Sequence, residues 1–259
     1  MSEMFITLDH PLFDAIVLRQ GAQLIHFQPK GGEPLLWSAE LSTFEKGKAF
    51  RGGIPICWPW FGKMKSPSHG FARLVEWDLV KCVKEIEGIK LSFELTDSDA
   101  TRVLWPYAFS AKVEMSLGKD VRMSLYIEAE KESTAAFHTY LKCQNIFDVM
   151  VLGLGDNYND ALLDAKACKS IEEVLYIKQA VDRIYTQADT KALLKEKECL
   201  ISIAHNNYSD VVVWNPWQEG AKNLLDMQED DYTKMLCIET ARITTPLERK
   251  DSLHVRIEV

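Results

Sequence analysis

The chain has 259 residues, of which 47% are hydrophobic and 26% charged, with a formal net charge of -8 at pH 7. This is ordinary globular composition with ample material for a core. It argues against a nucleic-acid partner, whose affinity rests on phosphate neutralisation, and means that an anionic small ligand would need local arginines to overcome the global sign.

In chain order, the N-terminus MSEMFITLDH lacks the basic-then-apolar pattern of a secretory leader. Segments 3–8, 14–19 and 23–28 read as strands. In KLSFELT, Leu91, Phe93 and Leu95 share one face. YAFSAKVEMSL continues the alternation through Tyr107, Phe109, Ala111, Val113, Met115 and Leu117. After GKD it resumes with Val121, Met123, Leu125, Ile127 and Ala129, which predicts a long hairpin with one buried face. Segments 137–145, 199–204 and 211–214 are further strand candidates, and SLHVRIEV closes the chain with the same period. Helix signals are few. Residues 188–198 (ADTKALLKEKE) have helical composition, and 220–232 can hold one or two turns; either can also be a loop. No repeat or Ser/Gly-rich linker divides the chain. The expectation is a single all-β domain over 1–259, a large antiparallel β-sandwich of two packed sheets with few short helices.

The six cysteines include no C-x-x-C pair and are read as free thiols in a cytoplasmic setting, with disulfides the alternative. No apolar run approaches the roughly 20 residues that span a bilayer, so no membrane partner is expected.

Six stretches can carry chemistry. In RGGIPICWPWFG, Gly52 and Gly53 can expose successive amides as an anion nest, and Arg51 adds a planar fork suited to phosphate. A tight turn with Arg51 paired to a surface carboxylate fits the same letters. HGFAR holds His69, Phe71 and Arg73, which share a side if the stretch is extended. His138 in AFHTYLKCQN is either a half-buried core residue or a general acid. Glu239 follows the apolar run Met235 to Ile238, where a carboxylate is costly unless paired or functional. Asp182 in VDRIYTQ can bridge two sugar hydroxyls or pair locally with Arg183. Trp214 and Trp217 flank an Asn-Pro turn and can stack on a sugar or fill the core. No metal-ligand spacing, P-loop, dinucleotide fingerprint or nucleophile elbow occurs, so no metal and no cofactor are expected.

Taken in order, RGGIPICWPWFG, SHGFAR, FHTYL, DRIY, VVWNPW with DM and DDY, and MLCIET resemble the hexose-6-phosphate mutarotases. These are the glucose-6-phosphate 1-epimerases of the aldose 1-epimerase, or galactose mutarotase-like, superfamily. The likeness spans roughly residues 5 to 258. It implies a β-sandwich with its site on a concave sheet face, and interconversion of the α and β anomers of a hexose 6-phosphate. It implies that His138 and Glu239 are the catalytic pair, that Arg51 and Arg73 bind the phosphate, that Asp182 holds sugar hydroxyls, and that His69 lines the sugar site. Ser68 stands where many members carry a glutamine that helps bind substrate, and Trp60 stands where many relatives carry a glutamine in their version of this loop. The expected mechanism pairs ionised Glu239 as base with protonated His138 as acid. A sugar phosphate is the expected partner of a monomer. A mutarotase for free sugars, a carbohydrate-binding module on the same fold, and a structural sandwich that binds proteins are the other readings.

Overall fold

The computed structural model describes residues 4–259. Its frame follows from period-two alternation. Phe109–Leu117 and Asp120–Ala129 pair as a hairpin from Leu117↔Val121 to Phe109↔Ala129. Ala111, Val113, Met115, Val121, Met123 and Leu125 are all buried on its inner face. Gly88–Thr96 and Asp78–Glu85 extend this hairpin on one side. On the other side Lys250–Glu258, Cys199–Asn206, Lys191–Glu196, Val149–Leu152 and Leu175–Tyr176 complete a nine-stranded sheet.

The second large sheet runs Lys166–Lys169, Asn157–Asp160, Val181–Tyr185, Asp210–Asn215, Met235–Leu247, Ser133–Phe137, Ile56–Cys57. Its eighth strand, Tyr140–Lys142, pairs with Met235–Leu247 beyond the end of Ser133–Phe137. Ile238, Val213 and Phe137 from this sheet share one buried cluster with Val113, Leu125 and Ile257 from the other. The antiparallel β-sandwich is therefore present. A third sheet, Phe5–His10, Phe13–Leu18 and Gln23–Pro29, is an addition to the two expected. Residue 3, the first of the expected strand 3–8, lies outside the described residues.

The helical reading of 188–198 is corrected. Lys191–Glu196 is a strand paired with Cys199–Asn206. Ala192, Leu194 and Glu196 point inward. The inward carboxylate hid the alternation; it accepts hydrogen bonds from the amides of Gln144 and Asn145. Around 220–232, the helix Trp217–Lys222 starts earlier than expected, and a 3₁₀ turn covers Asp231–Lys234. All six cysteines are free. Among the described residues no helix is long and apolar enough to cross a membrane.

Candidate active site

Strand Met235–Leu247 builds the floor of the site. Leu236 and Ile238 face the main core, while Cys237, Glu239 and Ala241 face away from it. Glu239 lies opposite Val212, itself opposite Ile184. Cys237 lies opposite Trp214, itself opposite Asp182. On the other flank the register runs Thr240↔Phe137 and Cys237↔Tyr140, which puts His138 across from Glu239. Two rows of side chains result: Ile184, Val212, Glu239, His138, and beside them Asp182, Trp214, Cys237, Tyr140. A third row of small residues, Cys57, Ala136 and Ala241, continues the floor. Asp182, Glu239 and His138 are thus brought to one sheet face by register alone.

His138 Nε2 lies 3.3 Å from Glu239 Oε1, with side-chain exposures of 9% and 1%. The Tyr140 ring stacks on the imidazole at 4.7 Å and 13°. Trp214 and His69 approach it edge-on at 6.0 and 5.8 Å. Burial pushes the Glu239 carboxyl well above its usual range; Asp182 adds to this and Arg73 opposes it. Burial pushes the His138 imidazole well down, with His69, Arg73 and Arg51 acting in the same direction. Both shifts favour the neutral forms of the pair, the opposite direction from the ionised Glu239 and protonated His138 that the expected mechanism uses. Burial and the neighbouring Asp160 also raise Asp182, while Lys63 opposes them.

The glycines of RGGIP do not form an open nest. The Gly53 amide donates to the Trp37 carbonyl at 2.8 Å. Gly53 has φ of 61°, and a Cβ there would fall 2.1 Å from the Leu24 carbonyl oxygen. The loop is pressed onto its neighbours, and the Arg51 side chain is what faces the site. Arg51 Nη1 donates to the Tyr140 hydroxyl at 3.3 Å. Its Nε lies 2.9 Å from Asp226 Oδ1, yet its N–H finds no aligned acceptor. The contact is a charge pairing rather than a directed bond.

HGFAR is not extended either. His69 and Gly70 have φ of 62° and 73°, Phe71 is buried in the core, and Ala72–Leu74 is a 3₁₀ turn. His69 and Arg73 converge through this turn instead of by alternation, and Phe71 leaves their face. Arg73 Nη2 donates to the Ser68 carbonyl at 2.9 Å, so Ser68 meets the site's arginine through its backbone. His69 Nδ1 accepts from the Gly62 amide at 3.4 Å. That leaves the proton on Nε2 as a donor, and burial beside three cations lowers the ring to about 4. Asp182 and Arg183 do not pair locally, since Arg183 turns to Asp160 at 3.4 Å. Trp58 and Trp60 are core residues; their indole N–H groups donate to Ser133 Oγ and the Pro67 carbonyl. Trp214 belongs to the site row, whereas Trp217 packs on Phe147 and Tyr232.

Buried polar atoms in folded proteins normally have partners. Among the described residues eight buried side-chain nitrogen or oxygen atoms have none, and four are Arg51 Nε, Arg73 Nε, His138 Nδ1 and Glu239 Oε2. Arg51 Nε still has the Asp226 carboxylate beside it, so the atoms left open for a ligand on this side are Arg73 Nε, His138 Nδ1 and Glu239 Oε2. Among the same residues, no group of three or more His, Cys, Asp or Glu is arranged to hold a metal ion.

A profile of the aldose 1-epimerase family matches residues 4–258. The chain belongs to that family. A protein of Escherichia coli (strain K12) named "Putative glucose-6-phosphate 1-epimerase" is 35% identical over 241 residues, covering 91% of this chain and 82% of the relative. The crystal structure of a "putative mutarotase" from Salmonella typhimurium superposes with a TM-score of 0.95 at 34% identity, covering 98% of this chain and 89% of that one. A galactose mutarotase related enzyme from Lactobacillus acidophilus shares the fold, with a TM-score of 0.75 at 15% identity over 98% of this chain and 97% of its own.

Within this epimerase, two site residues escaped the sequence reading. Tyr140 stands two positions after His138 inside FHTYL, and a strict strand alternation would have aligned them. Asp226 stands in a loop with no periodicity to place it, 175 positions from Arg51, and only the fold reveals the pairing.

Proposed function

We propose that this epimerase interconverts the α and β anomers of an aldohexose 6-phosphate, with glucose 6-phosphate the preferred substrate. The observation that carries the reading is the meeting of a buried carboxyl–imidazole pair with two arginines close enough to act on the imidazole, one of them, Arg73, with its buried Nε left without a partner. A neutral pair without arginines would suit a free sugar. Arginines without the pair would suit a binding module. The name of the Escherichia coli relative points to the same substrate.

Ring opening needs a base to take the proton from the C1 hydroxyl and an acid to protonate the ring oxygen as the bond from C1 to that oxygen breaks. The aldehyde then turns about C1–C2, and closure reverses both transfers on the other face. Glu239 is the base and His138 the acid. The pair holds one proton throughout. In the free site burial disfavours both charges, and Arg51 and Arg73 also disfavour a charge on the imidazole. A phosphate dianion beside the arginines offsets their repulsion, which favours protonated His138, the form its acid role requires. Asp182, on the neighbouring row, accepts from sugar hydroxyls, and His69 donates to the sugar through Nε2. Ser68 contributes by fixing Arg73.

Exchange NMR on glucose 6-phosphate at anomeric equilibrium tests the reading. The expected result is exchange above the buffer rate, lost in Glu239→Gln and much weaker with free glucose. Wild-type exchange no faster than buffer would refute it.

A further inference from the structure

Tyr140 is nearly fully buried, yet its surroundings are unlike those of a packing residue. One ring face lies on the His138 imidazole at 4.7 Å and 13°. Trp37 stacks on the Tyr140 ring at 5.7 Å and 27°, and Trp214 meets its edge at 6.1 Å. Its backbone is fixed on both sides: its amide donates to the Gly53 carbonyl and its carbonyl accepts from the Trp37 amide. The strand containing it pairs with the strand of Glu239. The ring therefore has little freedom of its own.

Its hydroxyl accepts the Nη1 proton of Arg51 at 3.3 Å. Arg51 is held from the other end by Asp226 at 2.9 Å. A continuous line of contacts results: Asp226, Arg51, Tyr140, His138, Glu239. It joins the phosphate side of the pocket to the acid–base pair, and these groups are separated in sequence by up to 188 residues between Arg51 and Glu239. A tyrosine used only to fill space beside His138 would not need its hydroxyl on the arginine, and phenylalanine would pack as well.

We propose that Tyr140 is a positioning residue that couples Arg51 to His138, so that a phosphate held by Arg51 keeps the imidazole in line with Glu239 and the sugar. The proposal rests on the functional reading above. When the phosphate engages Arg51, the guanidinium is drawn toward it from the poorly aligned pairing with Asp226. The hydroxyl of Tyr140 then keeps one edge of the guanidinium fixed, and the stacked ring holds the imidazole plane. Ring stacking fixes orientation, which is what proton transfer at a defined oxygen demands.

The test is a double-mutant cycle of Tyr140→Phe and Arg51→Ala, with exchange rates measured on glucose 6-phosphate and on glucose, and melting temperatures recorded for each variant. Tyr140→Phe keeps the stack and loses only the acceptor of a charged donor. The expected fall in kcat/KM for glucose 6-phosphate is about tenfold, with glucose changed less than about twofold. In the Arg51→Ala background the same substitution should have no further effect. Tyr140→Leu, which loses the stack, should lower kcat on both sugars, and Phe at this position should restore it. Equal losses on both sugars with Tyr140→Phe, or additive effects in the cycle, would overturn the coupling while the functional reading stands. A wild type without activity on glucose 6-phosphate would overturn the functional reading, and this coupling with it.

Discussion

Glu239 and Thr240 are neighbours in the chain and face opposite sides of one strand, and each meets a buried histidine. On the core side, Thr240 Oγ1 lies 2.7 Å from Nδ1 of His205, and burial alone lowers that ring to about 4. On the other side, Glu239 lies 3.3 Å from His138 amid two arginines, a second histidine and an aspartate. Both rings are hidden from water, and both keep one unpartnered nitrogen. What separates them is the company: a hydroxyl and apolar packing on one face, a cluster of charges on the other. Burial of a histidine says little about its work. The number of charged neighbours, and whether their donors and acceptors are left open, says much more.

Disabling the charged face should have the largest effect. Glu239→Gln is expected to slow anomer exchange by about 10² to 10⁴. The raised Glu239 carboxyl makes the native protein harder to keep as pH rises through its titration, since the native state must then hold an unpaired buried charge. The same variant should therefore melt at a higher temperature than wild type at pH 8, a gain read by calorimetry. Arg73→Ala comes next: loss of a charged donor to phosphate should cut kcat/KM for glucose 6-phosphate by about 10- to 100-fold while sparing glucose. Equal losses on both sugars would make the arginine structural.

The core face should show up in stability instead. His205 has a native value of about 4 against an unfolded value of about 6.5. The unfolded chain takes up the proton first, so stability is full above pH 6.5 and falls toward pH 4, by about 3 kcal/mol from this residue. His69 shifts the same way. His205→Asn, whose amide can replace Nδ1, should flatten that part of the pH–melting curve and leave exchange at neutral pH within a few fold. The smallest effect is expected for Thr240→Val, which should cost about 1 kcal/mol through the lost hydrogen bond to His205. A large activity loss in either core-face variant would blur the contrast between the two sides.

Strand alternation made four neighbouring strands of the nine-stranded sheet readable, 88–96, 109–117, 120–129 and 250–258, and left 78–85, 149–152 and 175–176 unassigned. It failed at 191–196 because Glu196 points inward and because Leu, Lys and Glu favour helices equally well. From the residues alone His138 and Glu239 stood out only as polar groups in apolar surroundings, and their pairing came from the family resemblance. They are 101 positions apart in sequence, and only the register of neighbouring strands brings them together. HGFAR misled because His69 occupies a left-handed conformation that no letter announces. The glycine pair misled in a different way. It suggested exposed amides, where its actual role is to let two backbones touch.

That close contact has a consequence for how the protein can diversify. A Cβ at Gly53 would lie 2.1 Å from the Leu24 carbonyl oxygen, and one at Gly70 would lie 2.0 Å from that of Trp58. These obstacles are backbone atoms, which cannot rotate aside as a side chain would. Gly53 follows Arg51 by two positions and Gly70 directly follows His69, so any replacement there would carry a site residue with it. Laboratory selection for a new sugar should therefore leave both glycines untouched.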